Sequence, residues 1–290
     1  MIQMFAQSFV NGVNLGALYG LAAVGLSLAF GVMKMMNVAH GEFIMLGSYI
    51  AYWLFMLFDI DPFLGIPIVA FVLFLIGAVL YKLLFSGMVK FHEELKLKNS
   101  LLVAFGLFLV LPEVAKLLWT GDERMLTPSY SGSSFGLFGV RFGYVPTIGL
   151  LVSLAVITLL QLFLNKTYFG KSARATADNW KAAKMMGVND ARTYIITFAI
   201  GAALAGIAGV LVGLSGALTP GMGIGWTIKA LIVVVLAGMG SIGGAFIAGL
   251  ILGVAEAVSA IFMGPYAITV GLILFLLILM FRPQGLFARG

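Results

Sequence analysis

Long apolar stretches separated by short polar breaks dominate this sequence. The apolar runs cover residues 9–31, 38–58, 64–85, 101–119, 147–164, 193–214, 226–240, 245–263 and 266–281. Most of them approach the roughly 20 residues that an α-helix needs to cross the hydrocarbon core of a bilayer. The strict alternation that is typical of membrane strands is missing from the pattern. The pattern therefore predicts an all-α polytopic membrane protein with about eight or nine transmembrane helices.

The run at 226–240 is the least certain crossing, because it is short and ends in a glycine-rich stretch at 238–244. It either spans the membrane or re-enters it as a broken helix. Nine crossings would place the N-terminus outside and the C-terminus inside. A glycine-bearing break also occurs near the start of the second run, at His40-Gly41. Because each half of the chain has such a break, the pattern is compatible with an inverted duplication.

Small residues recur every four positions in three of the predicted helices. Such small-xxx-small faces let the backbones of two membrane helices approach closely, so we interpret these glycines as helix-packing positions. They are Gly12, Gly16 and Gly20 in the first run, Gly201, Gly209 and Gly213 in the sixth, and Gly249 and Gly253 in the eighth.

The loop at 166–192 is the longest basic interruption of the apolar pattern. Its charged residues are Lys166, Lys171, Arg174, Lys181, Lys184 and Arg192 against Asp178 and Asp190. By the positive-inside rule this excess places the loop in the cytoplasm. Residues 173–186 predict one amphipathic helix that Gly187 ends. That helix either docks into a groove on a cytoplasmic partner or lies at the lipid interface with Trp180 as its anchor.

A second long loop, at 120–146, has balanced charge and is rich in Ser, Gly, Tyr and Phe. This composition favours an extracytoplasmic loop that contacts something soluble. The composition of the whole chain agrees with a membrane protein: 62% of its 290 residues are hydrophobic, and the mean hydropathy is +1.11. The net charge of +6 lies mainly in loops, so it indicates topology rather than nucleic-acid binding. The absence of cysteine excludes disulfides and thiolate chemistry.

Ionisable residues inside the apolar runs are candidates for function, because they are costly to place in a membrane. His40 and Glu42 begin the second run, and Glu256 lies within the eighth, with Lys229 as its candidate partner. Structural roles are the alternative, since Glu42 complements a helix N-terminus and His40 caps backbone groups. These groups are too few for a proton relay. The only other histidine, His92, is remote in sequence, so no metal site is expected.

Two nucleotide-binding patterns occur without their structural context. Residues 238–243 satisfy G-x-G-x-x-G, but they lie between membrane runs and outside any βαβ unit. Gly170-Lys171-Ser172 resembles the end of a phosphate-binding loop, yet Asn165 stands where its first glycine belongs. We therefore expect no ATP hydrolysis by this chain and no enzyme activity.

Four stretches, in order along nearly the full length, carry a family resemblance. They are residues 37–49, 174–188, 235–245 and 282–287. The chain resembles the permease subunits of ABC importers for branched-chain amino acids, the hydrophobic amino acid uptake family, whose relatives include urea and short-chain amide permeases. The importer docking motif E-A-A-x-x-x-G is matched at Ala182, Ala183 and Gly187, whereas Lys181 replaces its acidic residue.

The resemblance implies one transmembrane permease domain over residues 1–290, with 166–192 as the cytoplasmic coupling loop and 120–146 as the extracytoplasmic loop. It implies a multi-pass protein of a bacterial-type cytoplasmic (inner) membrane. The implied partners are a second permease subunit in a heterodimer, two cytoplasmic ABC ATPases that use ATP-Mg, and a periplasmic solute-binding protein. No cofactor, metal or nucleic acid is expected on this chain.

The implied function is ATP-driven import of branched-chain or hydrophobic amino acids by alternating access. Alternatives are a urea or short-chain amide permease of the same family, an ion-gradient-driven secondary transporter that works alone, and a scaffold without transport. The expected coupling residues are Arg174, Asp178, Lys181, Ala182, Ala183, Lys184 and Gly187. The expected pathway residues are Asn14, Asn37, His40, Glu42, Gly240, Gly243, Gly244 and Glu256.

Overall fold

Helices account for nearly all of the structure, a computed structural model that describes residues 1–90, 93–137 and 139–287. They are α1 Ile2–Met33, α2 His40–Phe58, α3 Pro62–Leu80, α4 Glu93–Trp119, α5 Tyr144–Lys166, α6 Tyr168–Met185, α7 Asp190–Ser215, α8 Met222–Ala237, α9 Ile242–Met263 and α10 Ala267–Phe281. A π-helical turn, Tyr81–Phe85, and a 3-10 turn, Ser86–Lys90, extend α3. The predicted all-α polytopic architecture is confirmed.

Seven segments of the described chain are long and apolar enough to cross a membrane. The last of them, Ile242–Phe281, contains both α9 and α10, which a turn at Gly264 (φ 52°) separates. Helix α8 has only 16 residues and falls short of that length. If the polar helix α6 is left out, the described residues contain nine α-helices. Without the short helix α8 they contain eight. The break between α8 and α9 falls where the glycines predict it.

Helices α1 and α7 form the centre of the molecule, with α2, α8 and α9 around them. The apolar windows of α1 and α7 are 89% and 78% buried, whereas that of α4 is only 17% buried. The exposed faces of α3, α4, α5 and α10 carry large aliphatic and aromatic side chains. Such faces suit contact with lipid rather than water.

Glycines allow α1 and α9 to pack backbone against backbone. A Cβ atom on Gly16 would lie 2.6 Å from the Cα atom of Leu250, and one on Gly12 would lie 2.6 Å from that of Val254. Gly253 faces Gly16 in return. No side chain larger than hydrogen fits at this interface without moving a helix.

The glycines of α7 bring it close to two other helices. Gly201 faces Gly25 of α1, and Gly209 packs against α2. There the Ser48 hydroxyl donates to the Gly209 carbonyl at 2.6 Å. Gly213 lies beside Ser48 and Leu218. The three sets of glycines identified in the sequence therefore all face helices or connections of this same chain.

Helix α2 begins deep beside α1 rather than at its end. The His40 ring nitrogen Nε2 donates to the Ala22 carbonyl at 2.9 Å. Ala22 precedes the end of α1 at Met33 by about 17 Å, at 1.5 Å of rise per residue. The connection 34–39 must therefore turn back along α1, starting from Lys34 in the left-handed conformation (φ 52°).

The long loop before α5 contains a small β-hairpin, which the sequence pattern did not predict. Strand β1, Ser134–Leu137, pairs antiparallel with β2, Val140–Gly143. The Gln7 side chain of α1 bonds both the N–H and the carbonyl of Arg141, each at 2.8 Å. The hairpin is therefore fixed to α1. Four-residue strands interrupted by glycine are too short to give an alternating signal.

A second anchor fixes the same loop to the turn between α2 and α3. The Tyr130 hydroxyl donates to the Asp61 carboxylate at 2.6 Å. Burial of this hydroxyl, together with the hydrogen bond to Asp61 and its negative charge, raises the pKa of Tyr130 above its usual range. The phenol therefore stays protonated and keeps donating at any physiological pH.

Candidate coupling helix and translocation pathway

Helix α6 is the polar helix that the sequence predicts between two membrane spans, but it begins earlier and is not continuous. It starts at Tyr168, because the Thr167 hydroxyl accepts a hydrogen bond from Gly170 N–H at 3.1 Å and caps the helix. It is interrupted at Asn179, which is extended (φ −154°, ψ 98°). The Asn179 side chain then accepts from Ala182 N–H at 3.0 Å and caps the second part. The prediction of one unbroken helix over 173–186 is therefore wrong.

The end of α6 at Gly187 agrees with the prediction. Gly187 adopts a left-handed conformation (φ 86°). Val188 N–H donates to the Ala183 carbonyl at 3.0 Å, and Gly187 N–H donates to the Lys184 carbonyl at 3.1 Å. These two bonds are the Schellman arrangement, which needs a residue without a Cβ penalty at this position. Gly187 thus fixes the direction in which the chain leaves α6 towards α7.

Two of the seven expected coupling residues face their own chain. Arg174 donates to the Leu164 carbonyl and to the Asn165 side chain, which ties α6 to the end of α5. Ala183 is buried. The contacts of Arg174 hold α6 against the end of α5.

The other five expected coupling residues, Asp178, Lys181, Ala182, Lys184 and Gly187, are exposed. Met185 and Met186 lie beside them and are 82% and 85% exposed. Methionines that project from a polar helix form an adaptable apolar contact surface. The exposed face of α6 therefore combines charge with apolar side chains, as a docking surface requires.

A cavity of about 270 Å³ lies beside α6 and is also lined by residues at the ends of α1, α4 and α7. Its charged lining residues are Lys34, which follows α1, Lys96 of α4, and Asp178 and Lys181 of α6. The Lys96 ammonium lies 4.4 Å from the centre of the Tyr194 ring.

Asn37 and His40 have structural partners. The Asn37 side chain accepts from Ala39 N–H at 3.1 Å and helps to begin α2. His40 is 2% exposed and bonds Ala22 as described above. Neither side chain lines a cavity described in the structure. For His40 this is the backbone hydrogen bond that the structural alternative predicts.

Glu42 lies in the first turn of α2 and is 1% exposed. Its side chain packs against the backbone of Gly223 at the start of α8. Among the described residues, its buried Oε2 atom has no hydrogen-bond partner. A buried carboxyl group in contact with a second helix is sensitive to any displacement of that helix.

The remaining pathway candidates lie in separate places. Asn14 lines a cavity of about 200 Å³ between α1, α5 and α7. Gly240 lies against Gly31 at the end of α1, whereas Gly243 and Gly244 face the side chains of Gln161 and Phe287. The structure does not bring the expected pathway residues into one site.

Glu256 of α9 is the centre of a buried polar cluster. It forms an ion pair with Lys229 of α8, and its second oxygen accepts from the Tyr19 hydroxyl of α1 at 2.9 Å. The Lys229 ammonium lies 5.1 Å from the centre of the Tyr19 ring. The pairing of Glu256 with Lys229 that the sequence suggests is confirmed. Three core helices are joined by these contacts.

The C-terminal stretch of the described chain binds the end of α8 and contacts the glycine-rich stretch before α9. Leu286 N–H and Phe287 N–H donate to the carbonyls of Leu236 and Ala237, each at 2.8 Å. Gly238 and Gly240 both have φ near 94°. Two of the four family-like stretches therefore form one unit next to the end of α1.

Comparison with known protein families shows to which family this chain belongs. A family model described as the branched-chain amino acid transport system permease component matches residues 8–281. The chain belongs to this family. The family is one of transport permeases, so the permease is not an enzyme, as predicted. No cluster of three His, Cys, Asp or Glu residues that could hold a metal occurs among the residues that the structure describes.

Individual relatives are similar to the permease over nearly its full length. The high-affinity branched-chain amino acid transport system permease protein BraD of Pseudomonas aeruginosa is 33% identical, over 99% of this chain and 97% of BraD. The corresponding protein LivH of Escherichia coli is 32% identical, over 98% of this chain and 96% of LivH. A solved structure, PsaBC from Streptococcus pneumoniae in complex with Fab, has a TM-score of 0.53 at 15% identity and covers 98% of the permease. That similarity concerns the fold alone.

Breaking the Lys229–Glu256 pair should destabilise the permease. Lys229→Met or Glu256→Leu alone leaves a charge buried without its partner, which costs about 3–5 kcal/mol. The double variant K229M/E256L should be more stable than either single variant, because no unpaired charge remains. Thermal unfolding in detergent measures the stability of the two single variants and of the double variant. Additive losses in the double variant would contradict a coupled pair.

Sequence reasoning missed one group of residues around Arg124 of the long loop. Its guanidinium lies 5.1 Å from the centre of the Trp53 ring and 5.3 Å from that of Tyr52, both on α2. Arg124 Nη2 also donates to the Trp119 carbonyl at 2.6 Å. In the sequence this arginine is one of four balanced loop charges, and nothing near it indicates an aromatic environment.

Proposed function

We propose that the permease is the membrane subunit of an ATP-driven importer for branched-chain amino acids. The support for the substrate is the likeness to BraD and LivH, whose names state branched-chain amino acid transport and which match almost from end to end. The whole chain, residues 1–290, would act as one transmembrane domain.

The observation that carries the mechanism is the exposed face of α6. A polar helix held between two membrane helices, with exposed methionines and charges, suits the groove of a cytoplasmic partner. Arg174 bonds the first half of α6 to the end of α5, and the Lys184–Asp190 ion pair (3.5 Å) connects the end of α6 with the start of α7. A displacement of α6 by its partner would therefore reach α5 and α7 directly.

The assembly would contain a second permease subunit, two ATPases that bind ATP-Mg, and a solute-binding protein on the other side of the membrane. The basic loop 166–192 would lie in the cytoplasm and the hairpin-bearing loop 120–146 outside, as the positive-inside rule indicates. This arrangement belongs in a bacterial-type inner membrane. The hairpin, anchored through Gln7 and Tyr130, would offer the binding protein a firm surface.

Movement of α8 is the simplest way to open a path through the permease. Helix α8 is short, begins beside Glu42 and is bounded by glycines with positive φ at its other end. Its links to α1 and α9 pass through the Lys229–Glu256–Tyr19 cluster. Alternating access would follow if α8 and its connections shift between two packings as the ATPases close.

Reconstitution of the transporter tests this proposal. Proteoliposomes that contain the permease, its second permease subunit and the ATPases should take up labelled leucine when ATP and the binding protein are supplied. The permease alone should take up none, and a protonophore should leave ATP-driven uptake unchanged. An ATPase variant that binds but does not hydrolyse ATP is the control.

Three outcomes would contradict the proposal. Leucine uptake by the permease alone under an ion gradient would identify a secondary transporter. Uptake of urea or acetamide in place of leucine by the complete assembly would identify an amide-type permease. No uptake of any of these solutes would favour a scaffold.

A further inference from the structure

Three buried hydrogen-bond donors lie without partners at the outer part of α2. They are the Tyr49 hydroxyl, the Trp53 indole Nε1 and Arg124 Nε, none of which is bonded to any other part of the described chain. Leaving one buried donor unpaired is costly, so native proteins seldom retain such groups unless a water or ligand satisfies them. Three together, all able to donate, call for an acceptor.

Shared neighbours bring these donors to one place. Tyr49 and Trp53 are one helical turn apart on α2, so they project from the same face. Tyr49 stacks on Trp119 with ring centres 4.6 Å apart, and the Trp119 carbonyl accepts from Arg124 Nη2. Arg124 in turn lies over the Trp53 ring.

The backbone holds Arg124 in position. Arg124 N–H donates to the Leu218 carbonyl at 3.0 Å, and Leu218 N–H donates to the Arg124 carbonyl at 2.8 Å. This bridge joins the long loop to the connection between α7 and α8. A ligand bound by Arg124 would therefore contact the connection that leads into α8, the helix proposed to move.

The chemistry of the site favours a carboxylate. Of the two acidic residues just before Arg124, Asp122 accepts from the Thr120 hydroxyl and Glu123 is exposed, and no acidic residue in the described segments forms an ion pair with Arg124. Guanidinium Nε–H and a neighbouring N–H can bind both oxygens of one carboxylate, and aromatic walls strengthen such a bond by excluding water. Tyrosine and indole groups add further donors.

We propose that Arg124, Tyr49 and Trp53 bind the α-carboxylate of the amino acid as it enters the permease from the outer side. This inference rests on the proposed function, since it takes an amino acid as the substrate. Urea and short-chain amides have no carboxylate and would not satisfy the site. The site thus separates the permease from amide carriers of the same family.

Tryptophan fluorescence measures binding, because Trp53 and Trp119 are part of the site. The permease in complex with its partner permease and ATPases, without the binding protein, is titrated with L-leucine, with isovalerate and with isoamylamine. Leucine and isovalerate, which carry a carboxylate, should give saturable changes, and isoamylamine should give none. The Trp180→Phe variant should keep the response, because Trp180 lies on α6.

Two conservative variants test the donors. Tyr49→Phe keeps the stack on Trp119 but removes the hydroxyl, and Arg124→Lys keeps the charge but removes Nε. Each should weaken leucine and isovalerate binding by about tenfold or more, the usual effect of losing a bond to a charged group. Arg141→Gln is a matched control, because it removes another arginine side chain from the same loop, and it should bind normally.

The outcomes separate this site from the proposed function. An equal response to isoamylamine, no saturable response to either carboxylate, or unchanged affinity in both variants would overturn the site. If the complete assembly imports leucine and neither variant slows uptake, the site is wrong while the function stands. If isovalerate binding depends on Arg124 but no leucine is imported, the function is wrong while the carboxylate site stands.

Discussion

Replacing Gly187 with proline should release the ATPases from the permease and abolish ATP-driven uptake. Proline requires φ near −65°, whereas Gly187 has φ 86°, and proline has no N–H to donate to the Lys184 carbonyl. The strain of roughly 2–3 kcal/mol should unwind the end of α6 and misplace its exposed methionines. Co-purification of the ATPases and leucine uptake in proteoliposomes should both fall by about tenfold or more.

Gly187→Asn is the matched control, because asparagine tolerates the left-handed conformation and retains the N–H group. It should keep both ATPase binding and uptake. Adding Asp178→Arg to the proline variant should remove any remaining association, since Asp178 is exposed on the same helix. Thermal unfolding of the permease should change little in all of these variants. Normal ATPase co-purification by the proline variant would disprove the coupling role of α6.

Valine at Gly16 should prevent the permease from folding. Its Cβ would lie 2.6 Å from the Leu250 Cα atom and 2.7 Å from the Gly249 carbonyl oxygen, so α1 and α9 would have to separate. Overpacking against backbone should cost about 3 kcal/mol or more, because no side chain is available to yield. The yield of monodisperse protein in detergent should fall to near zero.

Gly106→Val on α4 is the matched control for this substitution. It introduces the same side chain into another membrane helix, at a position where a Cβ atom would meet nothing within 4 Å. The yield and unfolding temperature of this variant should stay near those of the unchanged permease. Equal damage at both positions would show that valine in a membrane helix, and not the α1–α9 contact, is harmful.

Much of the architecture could be predicted, because membrane helices depend mainly on the length of apolar runs. The runs locate the helices to within several residues, and Gly187 and Gly238 mark real breaks in them. The pairing of Lys229 with Glu256 could also be anticipated, because opposite charges buried in a membrane stabilise each other by forming an ion pair.

Features that depend on contacts between distant segments could not be predicted. The sequence does not show that α2 begins beside Ala22, because that depth depends on how the connection 34–39 folds back. The interruption at Asn179 falls where Asn and Asp, which favour helix N-caps, are flanked by alanines and lysines that favour an unbroken helix. Arg124 looks like an ordinary loop charge until the fold places Trp53 and Leu218 next to it.

The contact between α1 and α9 also affects how the chain is made. Tyr19 and Glu256, which bond across it, are 237 positions apart. At 5–20 residues per second, the ribosome needs on the order of 10 to 50 s between these two residues. During that interval α9 is not yet available to pack against the glycine face of α1. Lipid or an insertion factor must therefore cover this face and keep other helices from packing on it. Biogenesis, rather than transport, therefore sets a second demand on this face.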